Sequence, residues 1–176
     1  MDEVRSIVVE IENLKQQKQF QAAIALLENG LLKYSDDYRL YEELADIHLY
    51  NGSLEKSIKA VDFALTLNPE SATGNYLKGF ILLSQDKVAE AVKYLERSNA
   101  MMGNNAEVLR NLGWAQTMLG ETERGITILK RALNIAPGDL LITEDLAMAL
   151  IGIWEVQQWN VLLKKIWKNK RTQVDI

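Results

Sequence analysis

Nucleophiles and metal-binding side chains are scarce in this sequence. It has no cysteine and a single histidine, His48. Without cysteine there is no disulfide, no thiol nucleophile and no thiolate metal ligand, and one imidazole cannot assemble a zinc set. His48 recurs at helical spacing with Tyr41, Leu44 and Ala45, which makes it a packed side chain rather than a catalytic one. Neither a glycine-rich phosphate loop nor a dinucleotide signature is present. Carboxylates alone support some acid–base chemistry. Here, however, Asp36 and Asp37 sit at a turn, where short acids cap helices, and the other acids are spaced like solvated helix faces. The chemistry left to this chain is recognition, by charge-assisted bonds from carboxylates and by aromatic contact. The expectation is a non-enzymatic protein with no cofactor and no metal.

Composition narrows the partners. The 176 residues are 48% hydrophobic and 25% charged, ordinary for one globular domain. The net charge of −4 argues against general nucleic-acid binding, whose affinity rests on neutralising phosphates with Lys and Arg. The charge is uneven: 13 acidic and 7 basic residues up to Ser71, then 11 and 13. A partner's basic end would favour the N-terminal half. The opening MDEVRSIVVEIENL carries acids where a signal peptide carries bases. The longest apolar candidate, residues 140–154, is interrupted by Thr143, Glu144 and Asp145, so no membrane insertion is expected. With no cysteine, a reducing, cytoplasmic location is the expectation.

The elements that would position any recognition surface repeat. Residues 106–139 read AEVLRNLGWAQTMLGETERGITILKRALNIAPGD: two segments of helical periodicity, a Leu-Gly break between them and a Pro-Gly break at the end. The pattern returns 68 residues earlier at Tyr38, more faintly at Ala72 and Val4, and in half from Leu140. The only prolines, Pro69 and Pro137, mark the same place in alternate units. A fixed period of this kind means an array of stacked helical pairs, each unable to bury both its apolar faces alone. The spacing predicts units at 4–37, 38–71, 72–105 and 106–139, then the first helix of a fifth at 140–152. A C-terminal capping helix is expected at 154–169, with Trp159 and Ile166 on the last repeat, and a frayed tail at 170–176.

The pattern resembles the tetratricopeptide repeat family. The fourth unit supplies Leu109, Leu112, Gly113, Gly120, Leu129, Ala132 and Pro137, with Gly125 where the family's second helix usually begins its small-residue seam. The second supplies Tyr41, Leu44, Ala45, Gly52, Val61, Ala64 and Pro69, with Ser57 at that place. The third supplies Gly79, Leu82, Ala91 and Leu95 and departs at Lys78 and Ser98; the first, with Ile11, Leu14, Ala23 and Leu27, is weaker. The resemblance spans about residues 4–152. It implies an all-α, right-handed superhelical solenoid of antiparallel helix pairs in 34-residue repeats, and a peptide or protein partner held on the concave face lined by the first helices.

Carried onto this chain, that face holds Glu12, Glu42 and Asp46, then Tyr50, Tyr76, Phe80 and Trp114, with Arg110 and Met148 beside the later aromatics. A ligand with basic residues at one end and apolar or aromatic bulk in the middle would suit it. The chaperone-binding branch of the family uses Lys, Asn and Arg to clamp a carboxylate. Here the corresponding residues are Val8, Glu12, Asp46, Tyr76 and Phe80, so no such clamp is expected. The alternative is a structural module that self-associates: Trp154 and Trp167, if exposed, would make a dimer interface.

Overall fold

The computed structural model describes the backbone of residues 2–174 and the side chains of residues 2–157 and 164. All described secondary structure is helical: α1 (Glu3–Gln16), α2 (Phe20–Lys33), α3 (Tyr38–Tyr50), α4 (Leu54–Leu67), α5 (Ala72–Ser84), α6 (Val88–Met101), α7 (Ala106–Met118), α8 (Thr122–Ile135) and α9 (Leu140–Val174). The helices form two compact units, residues 1–103 and 104–176.

Each hairpin is built by the same local chemistry. The residue before each later first helix caps it: Asp37, Ser71, Asn105 and Asp139 accept from backbone N–H groups of the opening turn at 2.9–3.2 Å. Such caps are worth roughly 1 kcal/mol each. The first helices end with a left-handed residue at one recurring place, Lys18, Gly52, Asp86 and Gly120, with φ between 60° and 85°. The following residue's N–H reaches back to the helix, as from Ser53 to His48 O and from Glu121 to Gln116 O, at 2.8 and 3.0 Å. This double-bonded stop reverses the chain.

Small residues then let the paired helices touch. The second helices bury Ala23, Ser57, Ala91 and Gly125 at one phase and Leu27, Val61, Leu95 and Leu129 four residues later. A Cβ added at Gly113 would come within 3.0 Å of Gly125 O, and one at Gly125 within 2.6 Å of Gly113 O. Ser57 instead donates its hydroxyl to Ala45 O at 2.7 Å. In residues 1–103, α1, α3 and α5 succeed one another with α2 and α4 packed among them; in 104–176, α9 packs on α7 and α8.

The C-terminal segment departs from the expected first helix and separate capping helix. Residues 140–152 and 154–169 belong to one continuous helix, which also takes in 170–174 of the expected tail. One local difference accompanies the continuation. The fifth unit carries Trp154 where the others carry their left-handed residue, and a bulky L-residue pays about 1–2 kcal/mol to enter that region. Gly152 lowers helix propensity by only about 1 kcal/mol and does not stop the helix. Trp154 is 61% exposed. The side chains of Trp159, Ile166 and Trp167 lie outside the described residues.

Candidate functional site

The first-helix faces of residues 1–103 carry a polar and an aromatic region. The polar one centres on Lys15. Its Nζ donates to Glu12 Oε1 at 2.7 Å, Glu43 Oε2 at 2.9 Å and Asp46 Oδ2 at 2.6 Å. Glu12 and Lys15 stand one turn apart on α1, and Glu43 and Asp46 one turn apart on α3, so the packing of α1 against α3 closes the set. The three carboxylates are close enough together to hold a cation, and the lysine ammonium supplies one. Burial works against the charge on Lys15, but bonds from Asp46, Glu12 and Glu43 outweigh it and hold the ammonium above its ordinary pKa. Glu43 is the buried acid of the set. Desolvation, with the Glu12 and Asp46 charges adding to it against the pull of Lys15, pushes it up to about 7. Three acids around one cation leave an excess of negative charge, and Glu12 and Asp46 present it outward with side chains 48% and 43% exposed.

Glu42, expected in the same face, is buried. Its carboxylate accepts from the Ser71 hydroxyl, and Ser71 in turn caps α5. Burial raises its pKa, partly offset by Ser71 and the Gly74 N–H. Glu42 thus joins α3 to the start of α5, and its neighbour Glu43 takes the inner place with Lys15. Adjacent helix residues point about 100° apart, so a one-residue error in phase exchanges their roles. No local pattern distinguishes Glu43 from Glu42 as the inner acid.

The aromatic region follows on α5. Tyr76 and Phe80 are half-buried with ring centroids 6.2 Å apart, and Tyr76 packs against the core around Ala45, Val61 and Ile81. Tyr50, at the end of α3, is 67% exposed and stacks on Phe20, centroids 4.2 Å apart at 18°. It therefore covers the start of α2. His48 is half-buried, and burial, reinforced by Lys56, lowers its pKa.

Residues 104–176 carry the remaining expected residues. Arg110 on α7 donates Nε to Asp145 Oδ2 on α9 at 2.6 Å, so its charge already has a partner that sequence reading did not supply. Trp114 is half-buried on α7, and Met148 is exposed on α9. No helix among the described residues is long and apolar enough to cross a membrane.

Known proteins share this architecture. MamA (residues 41–end) from Desulfovibrio magneticus RS-1 superposes with a TM-score of 0.71 at 18% identity, covering 98% of each chain. PilF from Pseudomonas aeruginosa gives 0.74 at 15% identity over 86% of this chain and 69% of its own. YrrB, described as a TPR protein with an unusual peptide-binding site, gives 0.65 at 15% identity over 81% and 74%. Likeness at these identities establishes the fold, an all-α helical-repeat solenoid. No curated protein sequence matches the chain. Profiles described as tetratricopeptide repeat match residues 10–62, 43–101 and 82–149, more than half of the chain. The protein belongs to the tetratricopeptide repeat family.

Proposed function

We infer that this protein is a non-catalytic interaction module that holds a peptide or protein segment on its first-helix faces. The observation that carries the reading is the Lys15 ammonium itself. It sits in a set of three carboxylates that binds a lysine head group through three charge-assisted bonds, and exposed negative charge remains at Glu12 and Asp46. A ligand Lys or Arg would join at these two acids. Its apolar or aromatic residues would lie over Tyr76 and Phe80. Tyr50 flanks the acids, and Glu42 contributes by fixing α3 to α5. YrrB, by its description, also binds peptide.

The same charge pattern opposes a chaperone-type carboxylate clamp, since the acids stand where such a clamp needs bases. Net charge −4 opposes nucleic acid as the partner. A cytoplasmic location fits a chain without cysteine.

A peptide array varied independently in basic and aromatic content tests the reading. Peptides carrying both should bind the wild type. Glu12→Gln/Asp46→Asn should remove the preference for basic residues, and Tyr76→Ala/Phe80→Ala the preference for aromatics. Equal binding by all folded variants would place the site elsewhere. Self-association is the second reading, and the exposed face of α9 favours it.

A further inference from the structure

The second-helix seam of the fifth unit is open. In the three preceding units, the small residue at the eighth place of the first helix is buried against the second helix: Ala45, Gly79 and Gly113. The equivalent Ala147 is exposed. Three and four residues further on, His48, Leu82 and Gln116, then Leu49, Leu83 and Thr117, are half-buried or buried. Their equivalents Leu150 and Ile151 are 45% and 51% exposed. Leu140 and Trp154, at 76% and 61%, extend the same stripe. So much contiguous apolar surface on one helix marks an interface.

The chain's own C-terminal half is poorly made to cover this seam. Trp154 occupies the place of the left-handed turn residue. The place of Ala23, Ser57, Ala91 and Gly125 is held by Trp159, and that of Gly30, Ala64, Ser98 and Ala132 by Ile166. At Gly125 a single Cβ would already lie 2.2 Å from Thr117 Oγ1, so an indole at the corresponding place is incompatible with the family's close helix pairing.

Charge identifies the occupant. Residues 140–157 contain Glu144, Asp145 and Glu155 and no base; residues 158–174 contain Lys164, Lys165, Lys168, Lys170 and Arg171 and no acid. A helix acidic in one half and basic in the other complements itself when two copies lie antiparallel. With the two-fold axis near Trp154, the turn at Glu144 meets the turn at Lys164 of the second copy, twice over. Such an isologous contact closes at two subunits.

We propose that a second copy of this chain covers the open seam, the two α9 helices pairing antiparallel across Leu140, Ala147, Leu150, Ile151 and Trp154. The inference is independent of the ligand face on α1, α3 and α5.

Sedimentation equilibrium on the full chain tests it. The wild type should form dimers as concentration rises. Ile151→Glu/Trp154→Glu, both at exposed positions, should weaken dimerisation at least tenfold while leaving helicity and the thermal transition unchanged. Thr143→Lys/Glu144→Lys and Lys164→Glu/Lys165→Glu/Lys168→Glu should each weaken it alone, and mixing these two variants should restore a one-to-one dimer. Restoration on mixing also excludes an intrachain hairpin. A wild type monomeric at every concentration, variants that dimerise like wild type, or a mixture that stays monomeric would each overturn the proposal.

Discussion

The fourth unit and the fifth begin alike and end differently. Both open with a capped, apolar-periodic first helix with a small residue at its eighth place, Gly113 in one and Ala147 in the other. In the fourth, Gly120 takes φ 85°, the chain reverses, and α8 buries Gly125, Leu129 and Ala132 against α7. In the fifth, Trp154 stands at the turn, and the helix runs on to Val174. Apolar periodicity is therefore not what makes a hairpin of this kind. In the fourth unit Gly120 makes the turn and Gly113 and Gly125 make the contact, whereas in the fifth Trp154 and Trp159 stand at the corresponding turn and second-helix places.

The α7–α8 contact is the most sensitive place in the fourth unit. Gly125→Leu would drive a side chain into Thr117 and Gly113 O, and should cost about 3 kcal/mol or more, read as a lower denaturant midpoint. Leu129→Ala, at a fully buried position, should cost about 3 kcal/mol. Leu150→Ala, exposed on the open seam, should cost under about 0.5 kcal/mol in dilute protein. Equal costs for the two leucines would mean that the seam of α9 is closed.

The apolar α7–α8 seam contrasts also with the ionised contact between α1 and α3. Glu43 has its folded pKa raised from 4.5 to about 7, so its proton is bound more tightly in the folded state. That contribution is fully present below about pH 4.5 and is lost as pH rises through 7. On this account wild type should lose on the order of 1–2 kcal/mol between pH 5 and pH 7.5, and Glu43→Gln should flatten that fall. A Glu43→Gln curve parallel to wild type would contradict the burial of its charge. The turn lies between the buried seam and the exposed one in its expected cost. Gly120→Ala should cost about 1 kcal/mol, with the hairpin retained because α8 still packs on α7.

Much of this was legible in the sequence because it lay in side-chain periodicity. The 34-residue phase and the small residues at the seams follow from residue type and spacing alone. The course of α9 was less legible. Its apolar pattern matches a first helix and then a capping helix, and the decisive fact is that Trp154 stands where Lys18, Gly52, Asp86 and Gly120 turn the chain. Two of those four are not glycine, so residue type alone did not flag the place. The acidic set differs from the expected one by a single residue. Glu12 and Asp46 lie together as expected, while Glu42 and Glu43 exchange roles because the two point in directions about 100° apart. The ion pairs of Lys15 and Arg110 join residues 28 to 35 positions apart, and no local pattern announces such partners. The third unit's departure at Lys78 also became intelligible only in three dimensions, where its buried stem carries Nζ to Asp62 Oδ1 at 2.5 Å.

The straightness of α9 underlies the open seam and is directly measurable. Spin labels at positions 143 and 165, in protein diluted with excess unlabelled chain so that only intrachain pairs contribute, report it by pulsed electron paramagnetic resonance. A continuous helix sets the two backbones about 33 Å apart, at about 1.5 Å per residue, and that is the expected distance. A distance under about 15 Å, the spacing of two packed helices plus the label arms, would mean that the chain turns back near Trp154 and closes the seam itself.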